Sequence, residues 1–120
     1  MLQETSHKVV LFAFRDDQTC FVHVLLTALD MKAKGLETGI VLEGAATRLI
    51  TVLAQPDHPL RHLYAKASEQ GLILGACKAC TAKMGELEAV QAAGLPLLDD
   101  MNGHPGMAAY IERGYTVLTF

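Results

Sequence analysis

The sequence predicts an α/β fold: one domain built on a parallel sheet with helices on both faces. Three observations predict it. Short apolar runs rich in β-branched and aromatic residues alternate with longer stretches of helical periodicity. Those runs are apolar at every position rather than every second one, which marks strands covered on both faces. The chain has 120 residues, 51% of them hydrophobic, enough for one core and within the usual size of one domain.

The elements follow in order. Lys8-Val9-Val10-Leu11-Phe12-Ala13-Phe14 reads as a central buried strand. After the polar break Arg15–Thr19, a helix runs from about Cys20 to Lys34 and ends at Gly35, which tolerates the positive φ of a helix C-terminus. Thr38–Leu42 is a second strand, and Glu43-Gly44-Ala45-Ala46 opens a helix through Leu49, Ile50 and Leu53 that Gln55-Pro56-Asp57 stops. Asp57 suits the cap of the next helix and Pro59 its first turn, with Leu60, Leu63, Tyr64 and Ala67 at helical spacing. Leu72–Ala76 is a third strand that runs straight into Cys77-Lys78-Ala79-Cys80, and Thr81–Ala93 carries Met84, Leu87 and Val90 in one helical rhythm ending at Gly94. The apolar piece Leu95–Leu98, the loop Asp99–Gly106, a helix over about Met107–Arg113 and the strand Tyr115–Phe120 close the chain. Crossovers between parallel strands are right-handed, and such folds bind ligands outside the carboxyl ends of the strands, where strand order reverses. Cys77 stands at such an end.

Composition excludes several classes. The net charge is −3 and the Lys and Arg residues are scattered, so no basic stripe exists to neutralise a phosphate backbone, and nucleic acid is not expected as a direct partner. The start, Met1–His7, is polar, carries Glu4 and lacks a signal-type apolar segment; no apolar run reaches the ~18 residues of a membrane span. Three cysteines is an odd number in a chain large enough to fold without staples, which fits a reducing compartment. The expectation is a cytoplasmic protein with no membrane partner. Phosphate cradles of the G-x-x-x-x-G-K-[ST] or G-x-G-x-x-G type are absent, and no cofactor is expected.

Cys77 and Cys80 are the sharpest chemical signal. A thiol at a helix N-terminus faces unpaired N–H groups and the positive end of the helix dipole, which favour the nucleophilic thiolate, and Lys78 and Lys83 add positive charge. The same position also suits an inert core cysteine. The C-x-x-C spacing further suits a thioredoxin-type redox motif or half of a zinc site, although this motif follows the third strand rather than the first, and zinc needs about four ligands where no second C-x-x-C is present. His58 and His62 lie four apart with no carboxylate between them and read as a solvated helix face, so no metal is expected. His23 sits in a first helix that is apolar almost all round, which suggests that this helix is sandwiched or used between subunits. Asp99, Asp100 and His104 lie in a Gly- and Pro-containing loop that either turns the chain or supplies an acid or base near Cys77. Cys20 opens the first helix and reads as core packing.

Taken together, the buried first strand, the apolar helix ending at Lys34-Gly35, the strand before Glu43-Gly44-Ala45, the strand-end Cys77 and the closing Val117-Leu118-Thr119-Phe120 resemble the DsrE/DsrF-like family of sulfur-relay proteins. Many members carry a cysteine after the third strand and an Arg-Gly pair about two helical turns on, and one branch has C-x-x-C there. Cys77 and Cys80 match that branch and Gly85 matches the Gly, while Met84 stands where the Arg falls, with Lys83 adjacent. The resemblance implies a three-layer α/β/α sandwich with a mostly parallel sheet of about five strands, assembled as a homo-oligomer, trimer or hexamer. It implies that Cys77 takes a persulfide sulfur from a donor protein and passes it to an acceptor, with Cys80 as a resolving thiol that releases product as an internal disulfide. A non-catalytic binding or assembly subunit of the same fold and a thiol-disulfide redox protein using Cys77 and Cys80 are the alternatives.

Overall fold

The computed structural model describes residues 7–120; Met1–Ser6, on which most of the polar start rests, lie outside them. The strands β1 (Lys8–Ala13), β2 (Glu37–Leu42), β3 (Ile73–Cys77), β4 (Leu97–Leu98) and β5 (Tyr115–Thr119) form one sheet in the order β4-β3-β2-β1-β5, and every pairing is parallel. Helices cover both faces, giving an α/β/α sandwich of five strands. Side chains alternate along β1 as the pleat requires: Val9, Leu11 and Ala13 face one layer, Val10 and Phe12 the other, and all five are buried.

The two layers are unequal. The larger joins Val9, Leu11, Ile40, Leu42 and Ala76 of the sheet to helices α1 (Gln18–Ala33), α2 (Leu49–Leu53) and α3 (Arg61–Glu69), through Phe21, Leu25, Leu49, Leu53 and Ala67. Val90 of α5 (Leu87–Ala92) joins the same core. On the opposite face Val10, Phe12 and Val41 are covered by Leu74, Leu98, Met107, Tyr110, Tyr115 and Val117, with α6 (Ala108–Glu112) as the helix there. Among the described residues no helix is long and apolar enough to cross a membrane. The outer side of α1 leaves Leu26 48% exposed, so the helix that is apolar all round buries one face only.

Four boundaries differ from the sequence expectation, each for a local reason. Helix α1 begins at Gln18 because Asp17 caps it, its carboxylate accepting the Cys20 N–H at 3.1 Å, so the polar break belongs partly to the helix. The segment after Glu43 starts as a 3-10 turn, Gly44–Arg48, before α2. Asp57 does not cap α3; His58, which lies before the helix rather than on it, accepts the Leu60 N–H on Nδ1 at 3.0 Å and reaches Gln18 with Nε2 at 3.1 Å. The single helix expected over Thr81–Ala93 is two, α4 (Lys78–Lys83) and α5, because Gly85 takes φ +72° and Glu86 N–H bonds back to Thr81 C=O at 2.9 Å. Apolar periodicity runs unbroken across that turn, so period alone does not detect it.

The register of β3 is shifted where Ile40 pairs with Ile73 but Val41 with Gly75; the intervening Leu74 lays its side chain over Gly39. A Cβ on Gly75 would stand 2.7 Å from the Pro96 carbonyl oxygen, the acceptor of the Ala76 N–H at 3.0 Å. Gly75→Ala therefore pushes β4 away from β3 and lowers stability by about 1–3 kcal/mol, the range for forcing a group into a packed interior. Urea denaturation checks this; an unchanged midpoint would show that β4 yields freely.

Candidate functional site

Parallel register brings three segments together at the carboxyl ends of adjacent strands. Leu42 pairs with Ala76, so the next residues, Glu43 and Cys77, emerge side by side from β2 and β3. Cys77 pairs with Leu98, so the loop Asp99–Gly106 leaves β4 next to them. Cys77 ends β3 and caps α4, its sulfur accepting the Cys80 N–H at 3.3 Å. The loop is tied down by Ala79 N–H to Gly103 C=O at 2.8 Å, by the Met101–His104 bridge and by Gly106 N–H to Asp100 Oδ1 at 3.1 Å. Gly103, at φ +89° and with a would-be Cβ 3.3 Å from the Ala79 Cβ, lets the loop approach α4 closely.

This fastening aims His104 at the thiols. Its Nδ1 lies 3.1 Å from Cys77 Sγ and 3.7 Å from Cys80 Sγ. Glu43, buried at 7% exposure, completes a cluster in which one donor atom each from Glu43, Cys77, Cys80 and His104 lies within 4.8 Å of all the others. The two cysteines are not equivalent. Cys77 is fully enclosed, whereas Cys80 opens on a cavity of about 380 Å³ lined by Gly44, Ala79, Cys80, Lys83, Met84 and His104.

The electrostatics reverse one expectation. A thiol held low by a helix N-terminus and two lysines was expected; instead burial pushes Cys77 up to about 12, and hydrogen bonding with Cys80 and the neighbouring Glu43 charge add to the rise, against the Cys80 N–H that favours the thiolate. Helix α4 has only six residues, and Lys78 is engaged with Asp99 at 3.7 Å. Lys83 does line the cavity. Burial likewise raises the Glu43 carboxyl, with His104 opposing the shift. Burial thus disfavours the Cys77 thiolate, and turning it into a nucleophile requires a base in contact; His104 Nδ1 is the ring nitrogen at that distance.

The other residues singled out in the sequence divide. His104 is brought to Cys77 and Cys80, while Gly85 forms the turn between α4 and α5, outside the cavity lining. Cys20, His23, His58 and His62 are not in the cluster. Glu43 was legible as part of a strand end but not as a site residue; the available signal was an acidic residue directly after an apolar parallel strand. The strand order reverses between β1 and β5, whereas the cluster lies across β2, β3 and β4, so Cys77 is at a carboxyl end but not at the reversal.

Two consequences are measurable. Alkylation at neutral pH modifies Cys80 before Cys77, read by peptide mass; Cys77 labelling first would contradict its enclosure. Cys77, ordinarily near 9.0, and Tyr64, ordinarily near 10.0, are both raised by burial to about 12. Folded protein therefore holds these protons more tightly than unfolded protein. The stability they contribute is whole below pH 9 and is lost as pH climbs toward about 12. The urea midpoint falls across that window, and a flat profile would contradict the buried, neutral thiol.

Comparison with known proteins places the chain among relatives of undetermined role. No protein-family model matches it. The solved structure of the conserved protein of unknown function BT1422 from Bacteroides thetaiotaomicron covers 98% of this chain and 100% of its own with a TM-score of 0.69 and 20% sequence identity, a likeness of fold. An uncharacterized protein of Archaeoglobus fulgidus is 35% identical over 42 residues, 35% of this chain and 69% of that protein. The uncharacterized protein MJ0733 of Methanocaldococcus jannaschii is 31% identical over 97 residues, 81% of this chain and 77% of its own length, and the chain belongs to the same family as MJ0733.

Proposed function

We propose that this protein is a cytoplasmic, homo-oligomeric sulfur-relay protein of the DsrE/DsrF-like type that carries a persulfide sulfur on Cys77. The observation that carries the reading is His104 Nδ1 at 3.1 Å from Cys77 Sγ, beside a second thiol that opens on a cavity. A donor persulfide enters the cavity beside Cys80, and Cys77, enclosed behind it, is reached once the Cys80 side chain turns aside. Cys77 passes its proton to His104 and attacks the donor's outer sulfur; one S–S bond breaks as another forms, and the donor leaves as a thiol on taking the proton from His104. An acceptor thiolate then attacks the outer sulfur of the Cys77 persulfide and returns Cys77 to the thiol. No net oxidation occurs. If Cys80 instead attacks the inner sulfur, Cys77 Sγ, the S–S bond to the outer sulfur breaks, hydrosulfide leaves and a Cys77–Cys80 disulfide remains, which an external dithiol must reduce. The outward Leu26 of α1 and Ile111 of α6 offer apolar surface for assembly.

Intact mass after exposure to a sulfane-sulfur donor tests this. Gain of one sulfur that vanishes in Cys77→Ser and persists in Cys80→Ser supports the carrier. Gain that vanishes only in Cys80→Ser moves the carrier to the cavity-facing thiol, and loss of two hydrogens with no sulfur gained favours a thiol-disulfide redox pair.

A further inference from the structure

Sulfur transfer leaves Glu43 without a task. A buried carboxylate beside two thiols opposes thiolate formation, which is the reverse of what a sulfur nucleophile needs. Glu43, Cys77, Cys80 and His104 nonetheless converge from three successive strand ends, with their donor atoms within 4.8 Å of one another. Bond lengths of about 2.0–2.3 Å in tetrahedral zinc sites place donors about 3.3–3.8 Å apart. The Cys80–His104 separation of 3.7 Å falls within that range and the Cys77–His104 separation of 3.1 Å lies just below it, while no pair of donors is farther apart than 4.8 Å. Closure around an ion thus asks for side-chain shifts of up to about 1 Å. The Cys80 N–H on Cys77 Sγ already orients one sulfur, and the fastened loop orients the imidazole.

We propose that these four residues form a closed site for a thiophilic divalent cation of the zinc class. Two sulfurs, one imidazole nitrogen and one carboxylate oxygen select zinc or cobalt over magnesium or calcium, which take oxygen donors. The cation supplies the positive charge that lets both sulfurs ionise beside the Glu43 carboxylate, and the thiol protons leave to solvent. All four ligands come from the protein, so the bound ion has no open position, and the Cys77 thiolate, its charge drawn to the cation and its approach closed by the other ligands, is withdrawn from attack on a sulfur donor. Metal loading and sulfur loading of Cys77 therefore exclude one another; this last step rests on the sulfur-relay reading, whereas the site itself does not.

The test is titration of the reduced, metal-stripped full-length protein with cobalt(II), displaced afterwards by zinc(II). One equivalent of cobalt is expected, with thiolate-to-cobalt charge transfer in the near ultraviolet and intense tetrahedral bands in the visible. Cys77→Ser and Cys80→Ser each abolish the charge-transfer signature of a two-thiolate site. Glu43→Gln and His104→Ala weaken binding by more than about 100-fold, beyond what loss of an outer-shell partner costs. Added imidazole restores the tetrahedral spectrum of His104→Ala, and far-ultraviolet circular dichroism of each stripped variant shows that it is folded. Absence of one-equivalent binding, or binding as strong in Glu43→Gln and His104→Ala as in the parent, would overturn the site. The sulfur-loading assay on stripped protein is read separately: if it fails while cobalt binds, the relay reading falls and the metal site stands, and the converse holds.

Discussion

Replacing His104 with alanine slows sulfur loading of Cys77 at neutral pH by about 10²- to 10⁴-fold, the contribution of a positioned general base. The size follows from enclosure. Burial raises the Cys77 thiol to about 12, so very little thiolate exists at neutral pH without help. His104 Nδ1, at 3.1 Å, is placed to take the proton at the moment of attack. The pH profile separates this role from a structural one. Without His104 the rate depends on thiolate already present and rises about tenfold per pH unit, so variant and parent converge in alkali. Equal loading rates at neutral pH would remove His104 from the mechanism; a uniform loss at all pH values would make it a structural residue.

Phe12→Ala lowers stability by about 3–5 kcal/mol, a large part of the ~5–15 kcal/mol typical of a domain. Phe12 is wholly buried in the thinner layer, with its ring edge-to-face to Tyr110 at 5.7 Å. That layer is thin: α6 spans five residues, none of them buried, and its buried cluster consists of Val10, Phe12 and Val41 of the sheet. Loss of the ring takes from Tyr110 its edge-to-face partner in the sheet and from Met107 part of the cluster it packs against, so α6 loosens before the larger layer does. Urea denaturation gives the energy and near-ultraviolet circular dichroism reports Tyr110; a cost under about 1 kcal/mol would show that α6 contributes little to the fold.

What composition and periodicity determine here is local. The all-apolar runs at Val9–Phe12 and Ile40–Leu42 specify strands buried on both faces because no polar side chain is available to face water, and the helices between them force a parallel sheet. Cys77 was legible as a strand-end, helix-start residue because that assignment needs only neighbours in sequence. The break at Gly85 was not, because apolar spacing continues across a turn whose cause is one backbone angle.

Tertiary structure decided the site. Glu43, Cys77 and His104 are 34 and 27 residues apart in sequence order, and nothing local links them. They meet because β2, β3 and β4 are neighbours in register, which places the residues after Leu42, Ala76 and Leu98 at one edge. Burial at that edge then inverted the chemistry expected of the thiol. A helix N-terminus and nearby lysines favour thiolate, but taking Cys77 out of water disfavours its charged form more strongly. Desolvation depends on every atom packed around a group, and that is a property of the folded chain that no window of sequence contains.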